Sequence, residues 1–255
     1  HGEFAKPSQQ LLAYTHQMMG KIAFDKLNYA AAASHFSEMI ALGEELHDSD
    51  IIASGMIHQG DVLRKRGRYE TAIRCFTAAQ PFADAAALGI QGMRYQIMAR
   101  AYSAHGDEQQ FLRTIHTALE IAERTQDTID NLANQFNLVE CLQEQAQGFT
   151  MLWQPEKALE IYQETDQLRP FRPLRDLGSY TIVKAQAYAY TGDLDKGMEY
   201  SLRGLNLASQ YRSRRHIARI ENMYNRLSVT KLKQDKKLKM IHDALIEVQR
   251  KQAEW

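Results

Sequence analysis

The chain has 255 residues, of which 44% are hydrophobic and 24% are charged, which are ordinary values for a globular protein. Its 31 basic and 31 acidic residues give a formal net charge of zero, so the overall charge does not support binding to DNA or to a membrane surface. Only 5 prolines occur, which favours long helices because proline interrupts them.

The opening residues do not share the pattern of the rest of the chain. Residues 1–4 look like a cloning remnant, and we expect residues 1–8 to be such a remnant or a disordered lead. The two cysteines, Cys75 and Cys141, lie far apart without metal-ligand spacing, which favours a reduced, cytoplasmic protein without a cofactor. We find no run of about 18 apolar residues, so the sequence predicts no membrane span.

A pattern of small, turn and aromatic residues recurs along the chain. Its clearest copy has Gly60 in a first helix, a turn at 67–69, and a second helix that carries Ala72, Phe76 and Ala79. The small residues equivalent to Gly60, which we call the anchors, are Gly20, Gly60, Ala99, Ala146 and Ala185, at steps of 40, 39, 47 and 39 residues. A degenerate sixth pair is expected over about 212–228 and 233–253. Each helix pair is expected to bury its apolar face against its neighbours.

This pattern resembles the tetratricopeptide repeat (TPR), in which a small residue, a turn, an alanine, a large aromatic and a second alanine follow in that order. The resemblance covers residues about 9–228. It implies an all-α fold, a right-handed superhelix of about six helix pairs, with 229–255 as a C-terminal capping helix. Because the step is near 40 residues and the usual TPR has 34, we expect each helix to be longer by roughly half a turn to one turn.

Longer repeats of this kind resemble the sensor domains of bacterial regulators of the Rap, Rgg, PlcR and maltose-regulator types. There the TPR domain follows a DNA-binding or nucleotide-binding domain, so the resemblance implies further domains in a longer chain. It also implies a peptide- or protein-binding function, as the sensor or interaction part of a transcription or signalling regulator. We find no phosphate loop, dinucleotide fingerprint or zinc motif, and therefore expect no enzyme.

In TPR proteins the first helices line a concave face, and the inward positions here form a polar stripe rich in amides. Such side chains suit an extended peptide backbone, and an arginine such as Arg64 or Arg100 suits a carboxylate. The predicted peptide-binding residues are Gln17, Lys21, Asp61, Arg64, Gln96, Arg100, Asn134, Asn137, Gln143, Gln147 and Gln186. Asn134 and Asn137 are expected to extend the row on a longer first helix of the fourth repeat. The alternative is an ordinary solvated face of amphipathic helices.

Two further functions stay open. One is a structural scaffold that self-associates through its end caps. The other is contact with nucleic acid through the basic segment 212–240. This segment contains ten Lys and Arg residues but only two acids, Glu221 and Asp235, which gives a net charge of +8. A solvated capping hairpin explains that segment better, because few aromatic residues interleave with its charges.

Overall fold

The computed structural model describes residues 5–125, 136–168 and 173–252, and within these ranges the chain contains α-helices and no strand. A single 3₁₀ turn at Lys231–Gln234 precedes the last helix. The thirteen α-helices of the described ranges are α1 (Ala5–Asp25), α2 (Tyr29–Leu46), α3 (Ser49–Lys65), α4 (Tyr69–Ala78), α5 (Gln80–Asp84), α6 (Leu88–His105), α7 (Glu108–Arg124), α8 (Leu138–Met151), α9 (Pro155–Leu168), α10 (Leu174–Thr191), α11 (Leu194–Gln210), α12 (Arg214–Leu227) and α13 (Lys236–Gln252).

In chain order the twelve long helices correspond to the six predicted pairs, which confirms the prediction of an all-α solenoid. The helices of the first, third and fifth pairs have 17 to 21 residues. The second pair differs, because its second helix is divided into α4 and the five-residue α5. Pro81 stands at the start of α5 and has no amide hydrogen with which to continue a helix, so the break falls just before it.

The chain forms two compact units, which the sequence did not predict. Unit 1 contains the described residues of 5–24 and 28–152, and unit 2 contains 25–27 and the described residues from 153 onward. Both units contain parts of the region 9–228 for which the repeats are predicted. Helix α1 begins at Ala5, inside the predicted lead of residues 1–8. At the other end, α13 packs against α11 and α12 of unit 2.

The anchors are buried, as the repeat register requires. Ala99, Ala146 and Ala185 are fully buried, and Gly60 lies against the ring of Phe76. A Cβ atom on Gly60 would come within 2.3 Å of that ring, so the two helices approach this closely only because glycine has no side chain. The residues sixteen positions after the anchors are buried as well: Phe36, Phe76, Ile115, Tyr162 and Ser201. The predicted burial of Ala72 and Ala158 is confirmed, since neither is exposed at all.

The turn inside each of the first five pairs uses a left-handed residue seven positions after the anchor. The five residues with positive φ at these positions are Leu27, Gly67, Gly106, Trp153 and Gly192. The prediction of glycine turns at 67, 106 and 192 is confirmed. Asp107 and Asp193 follow two of these turns and accept hydrogen bonds from amides of the next helix, as predicted for caps.

Candidate functional site

The predicted polar stripe of unit 1 lies on its first helices, α1, α3, α6 and α8. At the α1 end, the Gln17 amide donates to Ser54 Oγ at 3.1 Å and lies 3.4 Å from His58 Nε2. Gln17 is only 3% exposed, so its hydrogen bonds are made inside the protein. The His58 ring in turn stacks on Phe36 at 4.9 Å between ring centroids. This end of the stripe therefore joins α1 to α3 by buried polar contacts.

Two ion pairs continue the stripe from α3 to α8. Arg64 Nε donates to Asp61 Oδ1 at 2.6 Å within α3. Arg100 of α6 binds Glu144 of α8 through two hydrogen bonds, from Nε to Oε2 at 2.6 Å and from Nη2 to Oε1 at 2.5 Å. Arg100 Nη1 also lies 4.0 Å from Asp61 Oδ2. The charged groups thus form one network across three helices.

Burial and neighbouring charges shift the pKa of three side chains of the stripe and its surroundings. Burial is the main cause that lowers the pKa of His58 to about 3, and the charge of Lys21 adds to it, so His58 is neutral near pH 7. Burial alone would raise the pKa of Asp61, but Arg64 and Arg100 hold that pKa well below its usual range. Burial also lowers the pKa of Lys21.

The predicted residues of unit 1 divide into a buried layer and an accessible layer. The buried ones are Gln17, Asp61, Arg64 and Gln96, and the half-buried ones are Lys21, Arg100, Gln143 and Gln147. Of the accessible amides, Gln143 donates to the carbonyl oxygen of Val139 at 3.3 Å. Gln147 makes no hydrogen bond with any residue that the structure describes. Only the accessible layer, which we call the polar row, can touch a ligand.

The remaining three predicted residues are Asn134, Asn137 and Gln186. The prediction that Asn137 lies on a longer first helix is wrong, because α8 begins at Leu138 and the extended Asn137 caps it by accepting a hydrogen bond from the amide of Glu140. Asn134 lies outside the described residues. Gln186 lies in unit 2, where its amide donates to the carbonyl oxygen of Arg219 at 3.4 Å.

The sequence predicts that Arg100 can bind a ligand carboxylate, whereas in the structure it makes two hydrogen bonds to the carboxylate of Glu144. The inward positions lie three residues before, one after and four after each anchor, and we call them the inward register. Glu144 was missed because it lies two residues before its anchor. A second missed group is in unit 2, where Lys184 binds Asp166 at 2.7 Å and lies about 5 Å from the ring centroids of Tyr180 and Tyr200. Long-range partners of this kind leave no periodic pattern in the sequence.

The described residues offer little to metal or thiol chemistry. Among them there is no group of three or more His, Cys, Asp or Glu residues placed to hold a metal ion. Burial raises the pKa of both thiols, Cys75 and Cys141, and keeps them protonated at neutral pH. No helix in the described part of the chain is long and apolar enough to cross a membrane.

Paired helices, small buried anchors and left-handed turns at a fixed offset define a TPR-like repeat scaffold. No protein-family model matches the chain, and neither does any curated protein. Among solved structures it is similar to the TPR2AB domain of yeast Sti1 in its pHSP90 complex, at 13% sequence identity and a TM-score of 0.38, over 93% of this chain and 99% of that one. Because this likeness is weak, the TPR-like fold is inferred only from the spacing of the anchors, turns and buried residues in this chain.

Proposed function

We propose that the chain is a peptide- or protein-binding domain whose contact surface is the polar row of unit 1. The observation that carries this proposal is the network of ion pairs in and beneath the row, made by the buried Asp61–Arg64 pair and the half-buried Arg100–Glu144 pair. Buried ion pairs are often no more stabilising than apolar residues of similar volume. Their presence between packed helices therefore supports a role in recognition, where they hold the accessible side chains in place.

The side chains of the polar row suit hydrogen bonding to a polypeptide backbone. The Gln147 amide can donate to a carbonyl oxygen and accept from an N–H group of the same ligand. Lys21 supplies a positive charge at the α1 end. Arg100 is paired with Glu144 and orients the row. A ligand therefore needs a free carboxylate less than the sequence suggests.

The test is selection of peptides from a random library on the intact chain, followed by calorimetric titration of the selected peptide. Gln147→Ala is expected to weaken binding by roughly fivefold, since one neutral hydrogen bond contributes about 1 kcal/mol. The matched control is Gln109→Ala, an exposed amide on α7. Equal affinities of the parent and the two variants for the peptide would show that the polar row is not the binding site.

A finer proposal is that this binding serves a cytoplasmic regulator in a bacterium, as its sensor or interaction part and without catalysis of its own. Its support is the repeat step of about 40 residues, which resembles that of bacterial sensor domains. Sequencing the genomic region that encodes the chain tests it. An in-frame DNA-binding or nucleotide-binding domain supports the proposal, and a reading frame with neither contradicts it.

Self-association is a second candidate function, favoured by an apolar stripe on α1. Its five members are between 46% and 66% exposed: Leu11, Leu12, Met18, Met19 and Ile22. Forty residues later, the equivalent positions of α3 include Ile51, Ile52 and Val62, which are buried. Ile51 and Ile52 lie against Gly43 of α2, and Val62 packs in one cluster with residues of α2. The α1 stripe thus continues the internal stacking surface, and we propose that a second copy of the chain covers it.

Sedimentation equilibrium tests this second candidate. A parent dimer that the double substitution Leu11→Glu and Met18→Glu converts to monomer supports it, because buried carboxylates without partners would disrupt the contact. Leu112→Glu is the matched control on α7, where a single leucine is exposed. A monomeric parent at high concentration contradicts the candidate and leaves the peptide-binding proposal unaffected.

A further inference from the structure

Unit 1 has a cavity of about 230 Å³ that does not belong to the polar row. It lies between α4, α6 and α7 and is lined by Arg94, Tyr95 and Tyr102 of α6, and by Arg113, Thr114 and Thr117 of α7. Arg94 and Arg100 are six residues apart on α6, which places them about 120° apart around a helix of 3.6 residues per turn. The cavity and the row therefore use different faces of one helix.

Arg94 is a buried cation that lacks an anionic partner among the described residues. It is 3% exposed, and its Nη1 donates to the carbonyl oxygen of Phe76 at 3.3 Å. Its guanidinium carbon lies 4.3 Å from the ring centroid of Tyr95. Its Nε, however, is buried without a hydrogen-bond partner. A buried charged donor left unsatisfied is costly, and such a group in a native fold calls for an explanation.

The rest of the lining is also suited to negative charge. Arg113 adds a second guanidinium at the exposed side of the cavity, and it forms no ion pair with any residue in the described ranges. No Asp or Glu side chain is part of the described lining. The hydroxyl groups of Thr114 and Tyr102 can donate to oxygen atoms, and the Tyr95 and Met98 side chains offer an apolar wall.

We propose that this cavity binds a small organic molecule that carries an oxyanion, held by Arg94 and Arg113. Two guanidinium groups suit a phosphate or carboxylate because their N–H groups make charge-assisted, bidentate hydrogen bonds. The apolar wall takes the rest of the molecule. The volume lies below the 300 Å³ or more of a drug-sized pocket, which suits a ligand of about the size of a sugar phosphate or a short dicarboxylate.

The experiment is thermal unfolding of the full chain in inorganic phosphate, glucose 6-phosphate or succinate, each at constant ionic strength set with sodium chloride. At least one of the three is expected to raise the unfolding temperature in a saturable manner, because a ligand that binds the native state stabilises it. The three arms separate free phosphate, a phosphate ester and a carboxylate. No saturable shift with any of them would overturn the proposal.

The variant that tests the site is Arg94→Met, which keeps much of the side-chain volume and removes the charge. It is expected to fold, because replacing an unpaired buried cation with an apolar side chain is not destabilising in the absence of the anion. Its apparent affinity for the stabilising anion should fall at least tenfold. Arg113→Met, at an exposed position, should also weaken binding and covers the case in which Arg94→Met fails to fold.

The matched control is Arg74→Met, which removes an exposed arginine of α4 that is not part of the cavity. Its anion-dependent shift should equal that of the parent. Equal shifts in the parent, Arg94→Met and Arg113→Met would assign the effect to general surface charge and contradict the proposal. Because Gln147 lies outside the cavity, Gln147→Ala should retain the anion response, which keeps this test separate from that of the peptide-binding proposal.

Discussion

Arg94 and Arg100 belong to the same helix, α6, but they have different surroundings. Arg100 is held by two hydrogen bonds to Glu144 and lies 4.0 Å from Asp61. Arg94 is more deeply buried, yet no carboxylate of the described residues pairs with it, and its Nε lacks an acceptor. The position of an arginine in the repeat therefore does not decide whether the side chain is available to a ligand. The partner supplied by the neighbouring helix decides.

This contrast changes the roles expected on α6. The inward register selects Arg100 as the ligand-binding arginine, but its hydrogen bonds make it a residue that positions the polar row. Arg94 is outside the inward register and carries the unsatisfied donor. Four substitutions, in α3, α4 and α6 and at the turn that ends α6, probe Arg100 and the helices near the two arginines.

Removing Arg100 should have the largest effect. Arg100→Ala leaves Glu144 largely buried without its partner, and we expect the free energy of unfolding to fall by about 3 kcal/mol. Urea denaturation of parent and variant measures this. The double variant Arg100→Ala, Glu144→Ala should recover part of the loss, and Arg74→Ala is the exposed control. A loss below about 0.5 kcal/mol, typical of surface substitutions, would show that the ion pair does not form.

Overpacking at Ala72 should have the next largest effect. Ala72 is fully buried on α4, the helix whose Phe76 carbonyl accepts the Arg94 hydrogen bond. Ala72→Leu is expected to cost about 1–3 kcal/mol of stability because the added methyl groups have no space. The control is Ala78→Leu, at an exposed position of the same helix. Thermal melts that coincide for the two variants would show that the repeat register is wrong.

Acid should weaken the fold through His58, a neighbour of the Arg100 network. The pKa of His58 is about 3 in the folded chain and near 6.5 when unfolded, so between these values the unfolded state binds more protons. Stability should therefore fall as pH drops from 6.5, by about 1–2 kcal/mol at pH 5. His58→Gln should show a shallower pH dependence when urea denaturation is repeated across this interval. Parallel curves for parent and variant would contradict a His58 side chain that is neutral in the folded chain.

The smallest effect is expected at the turn that ends α6. Gly106 has a φ of 89°, and no heavy atom lies within 4 Å of the place where a Cβ would stand. Gly106→Ala should cost about 1 kcal/mol through backbone strain alone. Urea denaturation measures the loss, and Ala104→Gly, inside the same helix, tests the opposite backbone preference. A stability equal to that of the parent would contradict the left-handed turn.

The parts of the fold that were predicted correctly depend on local sequence. The small anchors, the burial of Ala72 and Ala158, and the turns at Gly67 and Gly106 follow from residue size and backbone preference, which act within one helix pair. The break between α4 and α5 has a local signal as well, Pro81, but the repeat pattern contains no proline at this position. Local rules also misplaced Asn137, since its capping role competes with continuation of the helix.

The parts that were not predicted depend on contacts between distant residues. Arg100 and Glu144 are 44 residues apart, and a single sequence does not show which of several acids an arginine meets. The same holds for Lys184 and Asp166 in unit 2. The division into two units depends on the density of contacts over the whole chain. For these reasons the sequence predicts a polar stripe but not which of its members are accessible.

The most direct test of the two arginine environments is a nuclear magnetic resonance titration that follows the Nε–H groups of arginine. The titrant is the anion that stabilises the chain most in the unfolding experiment, added at constant ionic strength. Arg94→Met and Arg100→Lys assign the two signals. The Arg100 signal should be protected from exchange with water and should not move, because its Nε donates to Glu144. The Arg94 signal should shift and saturate. A shift of the Arg100 signal together with an unchanged Arg94 signal would contradict the roles assigned to the two arginines.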